Sequence, residues 1–231
     1  MKLALIHYEL RGLRWTALAT PAGVLLGFAS LAGLMHLLGA ADQQVARMLV
    51  AAIEAGLPLA AGVAVAGIAV DDPAIALQLA LPTSYRTTLA RRFALLVAWT
   101  GSWAVGWTAV LHLTGLWGRW APEPFLLGQL VWLAPLLWLV AAGATLALLS
   151  GSRAAAGAIL GGLWVIEHLF RELFLTSEWL RLAFLFATIY APGTNFWLSN
   201  RVALIGAAVV LAIGARLLSS NTELLARGGE G

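Results

Sequence analysis

The sequence predicts an all-α, polytopic membrane protein with six transmembrane helices in a single transmembrane domain over residues 1–231. Three observations predict it. Of the 231 residues 61% are hydrophobic and 11% charged, whereas soluble domains carry roughly 25% charged residues. So little polar side chain cannot cover a water-soluble core protein, and so much apolar side chain excludes disorder. The charges divide the chain into six apolar stretches, 16–38, 47–70, 93–117, 125–149, 153–170 and 199–218, near the ~20 residues a membrane-crossing helix needs. Finally, Lys and Arg collect on alternate connections, as orientation in a membrane requires.

The elements follow in order. Residues 1–15 predict an amphipathic surface helix, with Leu3, Leu5, Ile6, Leu10 and Leu13 against Lys2, His7, Glu9 and Arg14. Nothing there resembles a cleaved signal peptide. After the second span, residues 71–92 form more than a turn. Asp71-Asp72-Pro73 is an acidic N-cap with Pro at the first helical position. Ala74 to Leu81 are apolar apart from Gln78, and Pro82 stops the helix. The expectation is a short helix along the inner membrane face. Residues 167–198 are too charged for a simple span and too apolar for a free loop, with Glu167, Arg171, Glu172, Glu178 and Arg181 among Leu, Phe and Trp. They predict one or two amphipathic helices dipping into the outer leaflet, ended at Pro192-Gly193. A seventh span over 179–191 is the alternative, and its 13 residues are too few to cross.

With the N-terminus cytoplasmic, nine basic residues lie inside (Lys2, Arg11, Arg14, Arg86, Arg91, Arg92, Arg153, Arg216 and Arg227). Five lie outside (Arg47, Arg119, Arg171, Arg181 and Arg201). That bias predicts both termini in the cytoplasm. Trp15, Trp117, Trp120, Trp179 and Trp197 fall near span ends, where an aromatic belt is expected. The formal charge of +3 is too small an excess to argue for nucleic acid, and no such partner is expected. The absence of Cys excludes disulfides, thiolate catalysis and Cys-ligated metals. The single Lys, Lys2, stands outside any Walker A loop, so the chain is not a P-loop ATPase by itself. Thirteen Arg to one Lys, with Ala and Gly in excess, point to a GC-rich bacterial source and a cytoplasmic (inner) membrane.

The loop after span two carries a resemblance. Asp71 and Asp72, then Leu77, Leu79 and Leu81, then Leu81-Pro82-Thr83-Ser84-Tyr85-Arg86, then Arg91-Arg92 follow one another in order. With the six-span layout, they resemble the permease subunit of a type-two ABC exporter, in which an acidic residue, a leucine-rich helix, a Leu-Pro-x-Ser-x-Arg turn and a basic residue entering span three recur. Here the acidic residues stand early, and Tyr85 occupies a place that is often basic. The likeness covers the whole chain in layout and about 20 residues in motif. It implies an ATP-driven exporter with cytoplasmic ABC ATPase subunits in trans, and a second permease copy, identical or similar. ATP and Mg would belong to the ATPase, and this chain would carry no cofactor and no enzymatic site. ATPase coupling is carried over to Asp71, Asp72, Leu81, Pro82, Ser84 and Arg86, while Arg91 and Arg92 would meet lipid phosphates or the ATPase. The substrate expected is amphipathic, lipid-like or a drug.

Several residues stay open at this level. Glu54 is the one acidic residue well inside a span, where ionised groups are costly and often functional. It would line a substrate path with Trp103, Trp107 and Trp132, bind a cation or relay a proton. Equally, span two would start near Pro58 and leave Glu54 in the outer interface, and the Trp would serve packing. His36, His112 and His168 fall near outer span ends, with Glu167 beside His168. Together they would make a metal or haem site if the fold joined them; otherwise they are interface residues. Gly23-x-x-x-Gly27 and Gly157-x-x-x-Gly161 permit close helix packing, expected within the subunit. Two other functions compete: the substrate-capturing membrane subunit of a vitamin uptake system, which would not need the Leu-Pro-x-Ser-x-Arg loop, and an integral-membrane lipid-modifying enzyme, whose polar cluster would be the outer His set with Glu167 and Glu54. A purely structural membrane subunit is a further reading.

Overall fold

Backbone polar groups in hydrocarbon have to be satisfied within their own segment, and each of the six apolar stretches is helical. The computed structural model describes residues 15–70, 85–121 and 123–219. All regular structure among them is helical. In chain order the helices are α1 (Trp15–Leu37), α2 (Asp42–Val70), α3 (Tyr85–Leu113), α4 (Phe125–Ser150), α5 (Arg153–Leu169), α6 (Arg171–Thr176), α7 (Leu180–Ala183), α8 (Ala187–Tyr190) and α9 (Trp197–Leu218). Five of them, α1, α2, α3, α4 and α9, are long and apolar enough to cross a membrane. The 17 residues of α5 reach about 25 Å at 1.5 Å per residue. The surface helix expected over 1–15 lies outside the described residues except for Trp15, as do Asp71, Asp72, Leu81, Pro82 and Ser84.

α4 is the centre, packed between α2 and α9, with α5 against α2 and α4 and α1 against α2. The α2–α4 crossing has no room for a methyl group. A Cβ on Gly143 would stand 2.3 Å from the Gly62 carbonyl oxygen, and one on Gly62 would stand 2.7 Å from that of Leu139. The two Gly-x-x-x-Gly pairs expected to pack within the subunit do not do so. Among the described residues, a Cβ added at Gly23, Gly27 or Gly161 would meet nothing within 4 Å, and one at Gly157 only Val63 at 3.9 Å. Two glycines four apart mark a face that can be approached closely; what approaches it is a tertiary matter. At the end of α4, Gly151 takes φ 62° and its N–H donates to the Ala147 carbonyl at 2.8 Å. The Ser152 hydroxyl then accepts the Ala155 N–H at 3.2 Å and caps α5.

Beyond the start of α2 at Asp42 rather than 47, three features differ from expectation. α3 begins at Tyr85 rather than near 93, so Arg86, Arg91 and Arg92 are helical. Arg is a good helix former, and charge does not end a helix where it leaves the hydrocarbon. α3 ends at Leu113 rather than 117, just before Gly115 at φ 72°. Trp117 then turns inward, 2% exposed, and its indole N–H donates to the Glu123 carbonyl at 2.9 Å. Trp117 and Trp197 (3% exposed) are thus core residues, whereas Trp15 (82%) and Trp179 (83%) stand outside as a belt would. The third difference is in 167–198, where three short turns replace the one or two amphipathic helices expected. Phe184 to Ile189 are buried inside the protein rather than laid along its surface.

Candidate functional site

The buried segment 184–190 raises a physical problem. Irregular backbone at membrane depth is tolerated only where protein groups satisfy it. Polar side chains of three helices do so here. The Glu54 carboxylate accepts the Thr188 and Ile189 N–H groups, each at 2.7 Å. Glu167 accepts the Leu185 N–H at 2.8 Å. The Asn200 amide donates to the Arg181 and Phe184 carbonyls at 2.8 Å and to that of Leu182 at 3.2 Å. Arg201 pairs with Glu54, reaches the Leu185 carbonyl at 3.4 Å and donates to the Thr188 hydroxyl at 2.9 Å. Two indoles complete the set: Trp120 donates to the Thr188 carbonyl at 2.9 Å and Trp197 to its hydroxyl at 2.8 Å. Glu54 and Arg201 are both wholly buried. The result is a cap stitched across one end of the bundle.

The chain geometry around Glu54 explains its placement. Pro58 has no N–H for the Glu54 carbonyl, and its ring would clash with that oxygen in a regular helix. α2 widens to one π turn over Ala52–Gly56, closed by the Leu57 N–H on the Ala52 carbonyl. Glu54 lies within that turn. α2 starts at Asp42, so Glu54 is three turns inside a helix and not in an interfacial lead-in.

At this capped end Glu123 lies between α3 and α4, nearly buried, with Oε2 unpartnered. Burial raises its carboxyl above the ordinary value of 4.5, opposed by its own backbone N–H, by Arg201 and by Gly193. An acid whose pKa is raised on folding stabilises the fold below its unfolded pKa and loses that contribution as pH climbs through the folded one. Glu123→Gln should therefore melt higher than the wild type at pH 8. The two melting curves should converge as pH falls to the ordinary carboxyl value of 4.5. A pH series of thermal melts in detergent checks this.

The opposite end differs. A cavity of about 640 Å³ lies between α3, α4 and α9. Leu89 and Phe93 of α3, Ala141 and Ala144 of α4, and Ala208 and Ala212 of α9 are among the residues of its wall. Alanines on α4 and α9 let those helices pack tightly while α3 stands off. Arg86, near the start of α3, and Arg216, in the last turn of α9, line the mouth.

The chain matches no family model, no curated protein and no solved structure. The site rests on its own geometry.

Of the candidates for a substrate path, none lines the cavity. Glu54 is engaged in the cap. The Trp107 indole N–H donates to the Leu49 carbonyl at 3.0 Å, and Trp132 donates to the Gln129 amide oxygen at 2.8 Å. Trp103 packs edge-on against Trp99 with ring centroids 5.9 Å apart, exposed to the surroundings. The metal candidates are not gathered. His36 is exposed on α1, and His112 stacks on Trp117 at 4.8 Å. His168 stacks on Trp164 at 5.3 Å and meets the Tyr190 hydroxyl at 2.9 Å, while Glu167 turns inward to Leu185. Among the described residues no three His, Cys, Asp or Glu come together as a metal site.

Of the basic residues that carry over from the exporter resemblance, Arg86 is at the cavity mouth, Arg91 is exposed and Arg92 is buried in α3. Arg201 is the residue sequence reasoning missed. Counted as an outer loop charge, it is wholly buried one turn into α9. A signal existed: a lone acid inside one span and a lone base inside another, both near the outer end, can neutralise each other.

Proposed function

We propose that the chain is the membrane-spanning permease subunit of an ATP-driven ABC exporter, with six spans including α5 and with both termini in the cytoplasm of a bacterial cell. One observation carries the reading: the bundle is closed at one end by a stitched cap and holds an apolar cavity at the other. That asymmetry is what an alternating-access carrier presents when it faces inward. The cavity end is also where α2 stops and α3 starts, so residues 71–84 connect the two helices there. In this reading the loop, through Asp71, Asp72, Leu81, Pro82 and Ser84, seats on the ATPase, and Arg91 lies beside it. ATPase closure would push the inner ends of α2 and α3, narrow the cavity and strain the cap. The substrate class is amphipathic, matching an apolar wall with a charged mouth. Hydrolysis, with its ATP and Mg, belongs to the partner, because the chain has no Walker A loop. A second permease copy would complete the path.

Purification of the tagged protein from its host in mild detergent tests this. A stoichiometric soluble subunit bearing a Walker A motif is expected, and Pro82→Ala should weaken substrate stimulation of its ATPase without dispersing the spans. A chain that emerges alone across several detergents would overturn the reading.

A further inference from the structure

We infer that the cavity between α3, α4 and α9 is a binding site for a phospholipid with an anionic headgroup, its phosphate held between Arg86 and Arg216 and one acyl chain against the apolar wall. As the substrate class of the proposed permease it rests on that reading; as a binding site it does not.

Three observations carry it. The first is shape: about 640 Å³, lined by Leu89, Phe93 and a run of alanines, within the ~300–1,000 Å³ typical of ligand sites. The second is where the cavity opens. Ala90 of α3 and Val209 of α9 line it and are exposed, so it opens sideways between two helices that are both long and apolar enough to cross a membrane. What enters there comes from the bilayer. The third is charge. Arg86 and Arg216 are exposed, line one cavity, and have no carboxylate partner among the described residues; no Asp or Glu lines the cavity. The Ser219 hydroxyl beside them is spent on the Arg216 carbonyl at 2.9 Å. At the capped end three arginines have carboxylate partners, Arg119 with Asp42, Arg171 with Glu172 and Arg201 with Glu54, while Arg47 lies over the Trp120 and Tyr190 rings and Arg181 over that of Phe196. Two guanidinium groups on one apolar chamber, with no carboxylate among its lining residues, suit a phosphate, which accepts their forked donors, and basic pockets between spans bind anionic headgroups in this way.

The full-length chain in detergent, without any ATPase, is titrated with phosphatidylglycerol and with phosphatidylcholine, and bound lipid is counted by native mass spectrometry. Phosphatidylglycerol is expected to bind more tightly. Arg86→Gln with Arg216→Gln should weaken it about 30-fold, to the phosphatidylcholine level. Ala212→Trp, which fills the chamber from an exposed wall position, should lower binding of both lipids, and Arg171→Gln at the capped end should change neither. Equal binding of the two lipids by the wild type, or a preference that survives the double Arg variant, would overturn the site. So would a dimer that takes up lipid only after dissociation, because a second copy would then be the occupant. None of these outcomes depends on whether an ATPase partner exists.

Discussion

Glu54→Ala is expected to cost about 3–5 kcal/mol of stability, the largest effect of any single substitution in the chain, because it breaks a buried ion pair and leaves Arg201 charged without its paired carboxylate. It also orphans the Thr188 and Ile189 N–H groups, each a further penalty of about 1–3 kcal/mol if no water replaces the carboxylate. The two costs can be separated. Replacing both charges, Glu54→Leu with Arg201→Met, removes the unpaired cation but not the orphaned backbone. The double variant should melt above Glu54→Ala and still below the wild type. Glu54→Gln retains one acceptor and should fall between them. Thermal melts in detergent read the series, and hydrogen exchange reads its location: protection over 184–190 should collapse in Glu54→Ala while α4 stays protected. A Glu54→Ala protein that melts with the wild type, its 184–190 amides still protected, would show that the cap does not depend on this carboxylate.

The second large effect belongs to the α2–α4 crossing. Gly143→Ala places a methyl group 2.3 Å from the Gly62 carbonyl oxygen and 3.0 Å from its carbon. Backbone cannot swing aside as a side chain can, so the two helices must part at this crossing. Overpacking of this kind costs about 1–3 kcal/mol and sometimes more. Gly62→Ala, against the Leu139 carbonyl, should behave alike. Gly106→Ala is the control: nothing lies within 4 Å of its added methyl, and replacing a helical Gly should gain about 0.5–1 kcal/mol. Melting temperatures of the three variants, measured together, check the ordering. A Gly143→Ala protein as stable as Gly106→Ala would mean that the helices do not cross this closely.

Most helix positions were legible because they depend on short-range properties. The apolar stretches at 16–38 and 125–149 lie within two residues of α1 and α4, since hydrocarbon thickness and backbone satisfaction leave a long apolar run one solution. Legibility failed where a residue's role depended on a distant one. Trp117 reads as an interface anchor until the turn at Gly115 sends it inward. The residues 179–191 are too short to cross and too apolar for water, and nothing within them says that carboxylates on two other helices will take up their backbone N–H groups.

By itself, then, the sequence determined the solvent and the segments: an apolar, Cys-free chain without a Walker A loop, cut by its charges into helices of membrane length. The tertiary structure alone decided which of those charges are buried and what they face. It took Glu54, 147 positions from Arg201, into an ion pair that holds the cap, and it placed Arg86 and Arg216 on one cavity with no carboxylate among its lining residues. The physical reason is that helix formation is settled over about four residues along the chain. Whether a buried charge is paired, and what an arginine faces, is settled by which helices become neighbours.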